Sequence, residues 1–443
     1  MPSPFPDGEI PPLNNSDGFI PELIDQKESE IVPWIWAQYM NAPGPIAGDD
    51  VLHWGPNLGL YHNYSEVITH LTARINAFPE YLSMFTIGVS YQGLAIPCIS
   101  LTAPGDSSNR QGFLIIAHHH GREAITIENA LFILDYMLAH AESPGVQTIL
   151  ENFIIHIIPT LNPDALGVLH INPWQRKNLH PTDEDNDGLS DEWEVQDMNG
   201  DFVVERYGED YDYTFEGLDL DNDGLIGEDL PGGIDLNRNY PVAFAQGASG
   251  PRSEVYHGST PFSENETQAV QTFIHMYQEN LAFAISLHSG VEVLLTPYGF
   301  TSEPSFHEPF FARLGTVVEE ASGYPWRSAT QLYPSFGTFE DWLYETYGLF
   351  SVTLETYGNE SAYGDSIWDY FNPSTDQVMM VCDRVRNAFF AITDVLLDEP
   401  SSPVILVPRI VPSGFSTLVT VFIEESKSGF ELLHLEYLYG PSN

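Results

Sequence analysis

The chain has 443 residues, with 63 Asp and Glu against 15 Lys and Arg, a formal net charge of −48 and a pI near 4.2. At 43 % hydrophobic and 13 % aromatic it carries enough apolar material for a large core, which excludes general disorder. So few basic residues exclude recognition of nucleic acid or of an anionic membrane surface. Two readings of the charge stand: a uniformly acidic, salt-tolerant surface, or carboxylates gathered to hold cations.

Residues 1–58 are rich in Pro, Gly, Asn and acids and read as an N-terminal arm. Residues 1–25 do not read as a signal peptide. From Tyr61 the pattern changes. Helical periodicity over Ser65–Phe78, with Ser65 as N-cap, is followed by strand-like runs at Met84–Val89, Leu94–Leu101 and Phe113–Ala117. A helix over Glu123–Ala139 and a central strand over Phe153–Ile158 come next. Further on lie a helix at Glu266–Tyr277, a strand at Ala282–Leu287, helices at Ser305–Ala321 and Thr338–Tyr347, a strand at Phe350–Leu354 and a long helix at Thr375–Leu397. This alternation predicts an α/β domain over 59–398, with a mixed, mostly parallel central sheet flanked by helices. Residues 399–443 read as a linker followed by a partial or docked β segment. No run is long and apolar enough for a membrane span. Cys98 and Cys382 lie in apolar contexts and are expected to be buried thiols, with neither a disulfide framework nor a Cys-based zinc site.

The strand ending at Ala117 leads into His118-His119-His120-Gly121-Arg122-Glu123. Sites in open α/β sheets form at the C-terminal ends of strands. Imidazole and carboxylate are both zinc ligands, and a catalytic zinc takes three protein ligands and leaves one position open. His120 and Glu123 therefore form a candidate pair, and His288, ending the strand Ala282–Leu287, is the candidate third ligand. Basic residues point the same way. Only three Lys and twelve Arg occur in the chain, yet Arg122, Arg176 and Arg238 all fall in motif-like settings. Arginine there suits bidentate binding of a carboxylate; the alternative is a structural ion pair.

Between Asn178 and Asp235 lies an acidic insertion, 180–232. Residues 183–229 hold 19 acids and one base, Arg206. Asp183, Asp185, Asp187, Asp191 and Glu194 supply side-chain oxygens at positions 1, 3, 5, 9 and 12 of the calcium-loop template. Gly188 stands at position 6, and Leu189 offers its carbonyl at 7. Asp219, Asp221, Asp223 and Leu225 repeat the first half, and Asp197-Met198-Asn199-Gly200-Asp201 is a weaker third candidate. Carboxylates at alternate positions converge around a hard cation and otherwise repel, so calcium is expected as a second metal. A solvated acidic loop is the alternative.

From about Tyr61 to about Asp398 the chain resembles the zinc metallocarboxypeptidases related to carboxypeptidase A. The resemblance rests on motifs in a fixed order: Gly88 to Gly93, similar to a Gly-x-Ser-x-x-Gly hairpin; His120-Gly121-Arg122-Glu123, similar to His-Ala-Arg-Glu; Asn162-Pro163-Asp164; Arg176-Lys177; Asp235 to Asn239; Tyr256-His257-Gly258 to Glu264; His288-Ser289; and Thr353-Leu354-Glu355-Thr356. It implies zinc on His120, Glu123 and His288, and Glu355 as the general base. It further implies that Arg176 steadies the oxyanion, that Asn237 and Arg238 hold the substrate's terminal carboxylate, and that Tyr333 closes over it. Arg122 is a further substrate contact. Two positions depart from the family pattern: Leu179 stands where a second arginine is usual, and Gly290 where a tyrosine is usual. Glu340, seven residues after Tyr333, matches the floor of the specificity pocket, and an acid there points to C-terminal Lys or Arg, or to mixed specificity.

The expected protein is thus a monomeric, extracellular or cell-surface zinc carboxypeptidase acting on peptide or protein C-termini and braced by calcium. Its alternatives are an amidohydrolase acting on cell-wall peptides, and a calcium-dependent binding protein on an inactive peptidase scaffold.

Overall fold

The computed structural model describes residues 61–182 and 233–398 apart from 171, 252, 364 and 365, together with four short strands outside those spans. The main sheet has eight strands: β1 Leu82–Val89, β2 Ala95–Leu101, β3 Gln111–Ala117, β4 Phe153–Ile158, β7 Leu281–His288, β8 Glu292–Thr296, β9 Trp326–Ser328 and β10 Phe350–Thr356. Their order is β1-β2-β4-β3-β7-β10-β8-β9. Pairing is parallel through the centre, β4-β3-β7-β10, and again at β8-β9. It is antiparallel at β1-β2, β2-β4 and β10-β8. The mixed, mostly parallel sheet expected from the sequence is the one observed.

Central strands are apolar on both faces because both are covered. Phe113 and Ile115 of β3, with Phe283 and Ile285 of β7, pack among helices α2 Ile125–Ala139, α6 Glu308–Ser322 and α9 Thr375–Asp398. Leu114 and Ile116, with Ala284, face the opposite layer, where α5 Asn265–Tyr277 and α7 Phe339–Tyr347 supply Phe273, Phe339 and Trp342. Each such side chain contributes about 1.5–3 kcal/mol by leaving water. Cys98 and Cys382 are buried free thiols, as expected.

Several boundaries shift for local reasons. Helix α1 runs Tyr64–Ala77 and is capped by Asn63, not Ser65: Asn63 accepts from the Glu66 N–H, and the Glu66 side chain accepts in return from the Asn63 N–H. Helix α2 starts at Ile125, because residues 120–124 form a turn in which His120 O accepts from Glu123 N. Helix α6 starts at Glu308, with Pro309 in its first turn where a missing N–H costs nothing. Helix α3 Pro144–Asn152 and strands β8 and β9 were not anticipated, and helix α4 Pro163–Val168 follows the Asn162-Pro163 cap.

The calcium-loop residues Asp183, Asp185, Asp187, Leu189, Asp191, Asp219, Asp221, Asp223 and Leu225, and the third candidate around Asp197, lie outside the described residues, as do residues 1–58. Glu194 is the middle residue of a three-residue strand, β5 Trp193–Val195, paired with β6 Tyr213–Phe215. In the C-terminal segment β11 Thr417–Val421 pairs with β12 Leu435–Tyr439. The stems of the insertion are pinned together, Asn178 N donating to Ile234 O at 3.0 Å and Ile234 N to Asn178 Oδ1 at 2.9 Å.

Candidate active site

The site grows from the ends of three neighbouring strands. At the end of β3 the chain turns back sharply. His118 takes a left-handed conformation (φ 61°) and ties Nδ1 to Thr160 Oγ1 and Nε2 to Gly121 O. Burial lowers its pKa to about 4, so it is a neutral structural residue. Gly121 is required by space: a Cβ there would stand 2.5 Å from Gln175 O and 2.6 Å from Ala165 Cβ. Its N–H donates to Arg176 O. This turn brings His120 and Glu123 to the same point.

His120 Nδ1 lies 2.6 Å from Glu123 Oε1, and His288 Nδ1 lies 3.0 Å from Glu123 Oε2 and 3.2 Å from His120 Nδ1. Among the described residues this is the one group of three ligand-type side chains whose donor atoms converge. All three are buried. Asp235 accounts for the direction of His120. Burial opposes its ionisation, but Arg176 and His120 keep the carboxylate ionised. Its Oδ1 stands 3.2 Å from His120 Nε2, so that nitrogen carries the hydrogen and Nδ1 turns a lone pair toward Glu123 and His288. Ser286 Oγ, at 2.9 Å, serves His288 Nε2 in the same way. Two imidazole lone pairs and an ionised carboxylate at these separations repel unless a cation lies among them. The donor set suits zinc.

A cleft opens onto this group. It is lined by His120 and His288, by Asn237, Arg238, Tyr333 and Glu355, and beyond them by Ser335, Thr338, Glu340 and Thr353. Glu355 sits on β10 in register with His288 on β7. It is on the strand, not beyond its end, and its Oε2 has no hydrogen-bond partner. Burial, reinforced by the Glu123 carboxylate, pushes its carboxyl well above the ordinary range. Arg238 Nη2 is 3.4 Å from the hydroxyl of Tyr333, whose side chain is half exposed. Asn237 Oδ1 accepts from Phe339 N, while its Nδ2 faces His288 Nε2 at 3.3 Å. At the far end Glu340 is 3 % exposed, and Glu340 Oε2, Thr338 Oγ1 and Thr353 Oγ1 all lack partners. Burial raises the Glu340 carboxyl.

Two of the candidate arginines stand outside that lining. Arg176 gives Nε and Nη2 to Asp235 Oδ2, each at 2.9 Å, and its Nη1 is 4.0 Å from Glu123 Oε1. Arg122 pairs with Glu254 and lies over the Phe371 ring. Leu179, in place of a second arginine, is buried. Gly290 has φ +134°, and a Cβ on it would meet Phe371 Cε1 at 2.9 Å. Phe371, from the short helix α8 Ile367–Phe371, thus occupies the space into which a side chain at 290 would point. Sequence reasoning gave no role to Asp235, although it opens a quoted motif, nor to Ser286, Thr338, Thr353 or Glu254. Only Asp235 and Thr353, each the first residue of a quoted motif, carried a signal.

This fold and ligand set define a metallopeptidase class, and comparison agrees. The zinc carboxypeptidase model (Peptidase_M14) matches residues 67–388, and the chain belongs to that family. Carboxypeptidase A1 of Mus musculus is 25 % identical over 311 residues, covering 68 % of this chain and 63 % of its own. Carboxypeptidase O of Bos taurus is 24 % identical over 350 residues, 76 % of this chain and 80 % of its own. The match therefore spans less than two thirds of that carboxypeptidase A1. Among solved structures, thrombin activatable fibrinolysis inhibitor superposes with a TM-score of 0.61 at 19 % identity, covering 83 % of this chain and 81 % of the other. Carboxypeptidase A from Helicoverpa armigera gives 0.61 at 18 %, covering 84 % and 82 %. Both show the same fold. Among the described residues no helix is long and apolar enough to cross a membrane.

Proposed function

We propose that this chain is a zinc-dependent carboxypeptidase that hydrolyses the C-terminal peptide bond of peptides and proteins. The observation that carries the reading is one cleft onto which His120, His288, the unpartnered Glu355 carboxyl and the Arg238 guanidinium all open. His120, Glu123 and His288 hold the ion. Zinc bound there supplies Lewis-acid polarisation of a carbonyl oxygen and acidifies water.

The remaining work belongs to side chains. Arg238, with Asn237, fixes the substrate's free carboxylate and so measures one residue back from the chain end. Glu355 takes a proton from the attacking water and returns it to the leaving amine, a task suited to a carboxyl with a raised pKa. Tyr333, exposed and already near Arg238, folds over the bound terminus. Arg176 adds positive charge beside Glu123 and favours the oxyanion, while Asp235 holds it in place. Glu340, Thr338 and Thr353 form the floor that receives the terminal side chain. The unpartnered, buried Glu340 Oε2 favours a donor-rich group, C-terminal Lys or Arg.

Around this core we assign residues 1–58 as an arm, 59–398 as the catalytic domain, 180–232 as a calcium-binding insertion and 399–443 as linker and β segment. The protein acts as a monomer at the cell surface or outside the cell. The test is a panel of peptides ending in Lys, Arg, Phe or Glu, each as free acid and as C-terminal amide, with the zinc-loaded protein. Release of one residue from the free acids only is expected. Equal cleavage of the amides, or no release from any of the free acids, would overturn the reading.

A further inference from the structure

Of the three histidines that follow β3, His118 braces the turn and His120 joins the ligand group, while His119 packs toward the layer that holds Phe339 and Tyr240. His119, Ser286 and Tyr240 are all fully buried. His119 Nδ1 stands 3.1 Å from Ser286 Oγ, and its Nε2 stands 3.0 Å from the Tyr240 hydroxyl. Ser286 Oγ is in turn 2.9 Å from His288 Nε2, so four side chains form one hydrogen-bonded row, Tyr240–His119–Ser286–His288. The row is held from both sides. Tyr240 stacks on Trp342 with ring centres 5.1 Å apart, and Asn162 Nδ2 donates to the His119 carbonyl. Tyr240, His119 and Ser286 do not line the cleft, so the row meets the site through His288.

We propose that His119 is a positioning residue of the metal centre: it aims the Ser286 hydroxyl so that His288 presents a bare Nδ1 to the ion. The inference rests on the reading of His120, Glu123 and His288 as zinc ligands. A serine hydroxyl has one hydrogen and can turn it either way. Turned toward His288 Nε2, it would leave the imidazole hydrogen on Nδ1, against the ion. Asn237 cannot prevent this. Its Oδ1 is engaged by Phe339 N, and its Nδ2, at 3.3 Å, brings a second donor toward Nε2. His119 can, because its Nδ1 accepts the Ser286 hydrogen and leaves the oxygen lone pairs to the His288 Nε2–H. His119 then carries its own hydrogen on Nε2, and Tyr240 accepts it. With Nδ1 of His288 bare, every bond in the row runs in one direction. The two histidine ligands are thus steadied differently: His120 by the ionised Asp235, His288 by a neutral row that supplies orientation without charge.

The test measures zinc affinity, by competition with a calibrated chelator, in the full chain and in variants of the row. Ser286→Ala and His119→Leu are each expected to weaken zinc binding about 10-fold. The double variant should lose no more than Ser286→Ala alone, because His119 acts through that hydroxyl. His119→Asn, whose Oδ1 can stand in for Nδ1 as the acceptor, should stay within about 3-fold of the wild type. Tyr240→Phe should lose about 3-fold. Cobalt in place of zinc gives a second readout: its visible bands should shift in Ser286→Ala and His119→Leu and hold their wild-type positions in His119→Asn. Thermal unfolding of the metal-free proteins identifies the folded variants. Should His119→Leu not fold, His119→Gln, which keeps a polar group for Tyr240 but not the acceptor for Ser286, takes its place with the same expected loss. Additive losses in the double variant would overturn the proposal, since His119 would then only fill the core. So would an unmoved zinc affinity and cobalt spectrum in folded His119→Leu or His119→Gln, and that result would leave the carboxypeptidase reading intact. A wild type that binds no zinc tightly would overturn the ligand reading and the proposal with it.

Discussion

Asp235 Oδ1 stands 3.2 Å from His120 Nε2, and the same carboxylate grips Arg176 through Oδ2 at 2.9 Å. One buried acid therefore fixes both the tautomer of His120 and the position of the guanidinium beside Glu123.

Asp235→Asn should weaken zinc binding about 10- to 100-fold, because an amide can present its own hydrogens to Nε2 and leave the wrong nitrogen protonated. Competition with a calibrated chelator measures this directly. Unaltered zinc affinity in a folded variant would show that the contact does not orient His120.

Glu355→Gln should retain zinc and lose about 10²–10⁴-fold in kcat, with little change in peptide affinity. Metal content and single-turnover rates, measured on the same sample, separate the two effects. Activity near the wild-type level would remove Glu355 as the base.

Glu266 is a buried carboxyl whose pKa burial raises to about 7, opposed by the Tyr91 N–H and reinforced by Glu264 and Asp164. The ordinary value is 4.5. The folded state thus keeps a proton that the unfolded chain releases between those values, so stability falls as pH rises through that window, by about 3 kcal/mol. Glu266→Gln can still accept from Tyr91, and should flatten this part of the curve. Thermal unfolding from about pH 4.5 to about pH 7.5 tests it; parallel wild-type and variant curves would refute the assignment.

The acidic insertion joins the site through Asn178, Ile234 and Asp235, since its stems hydrogen-bond to each other next to the residue that orients His120. Calcium in Asp183–Glu194 and Asp219–Leu225 should therefore support activity indirectly. After chelation, zinc alone should restore less activity than zinc with calcium. Full recovery with zinc alone would mean that the insertion is independent of the site.

Much of this site was legible because strand ends are legible. Apolar runs that stop at Ala117 and Leu287, shortly before His120 and His288, read as strands whatever lies between them, and the parallel order of β3 and β7 makes them neighbours. Short elements hid where one residue set the boundary. Ser65 looked like a cap, but Asn63 completes the reciprocal pair with Glu66. Strand β8 follows the Gly290 turn so closely that its apolar run could not be separated from the loop. Contacts that orient the ligands were not legible. Asp235 reaches His120 across 115 positions, and Glu254 reaches Arg122 from a loop without a local pattern. Phe371 beside Gly290 is of the same kind: the missing side chain is visible in the sequence, whereas the ring that fills its place comes from elsewhere.

His288 and Glu355 stand in register on adjacent parallel strands, and β3 beside them ends at Ala117, paired with Leu287, just before the turn that carries His120 and Glu123. Tyr333 belongs to none of them: it follows a one-turn helix at Ala329–Gln331 and is half exposed. The division of labour is therefore mechanical as well as chemical. His288 and Glu355 form one stiff frame, since displacing either must shear the sheet, and the turn carrying His120 and Glu123 is anchored beside it through His118 and Gly121. Adaptation to different substrates falls to the parts hung around that frame, and selection can alter those without disturbing the reaction centre.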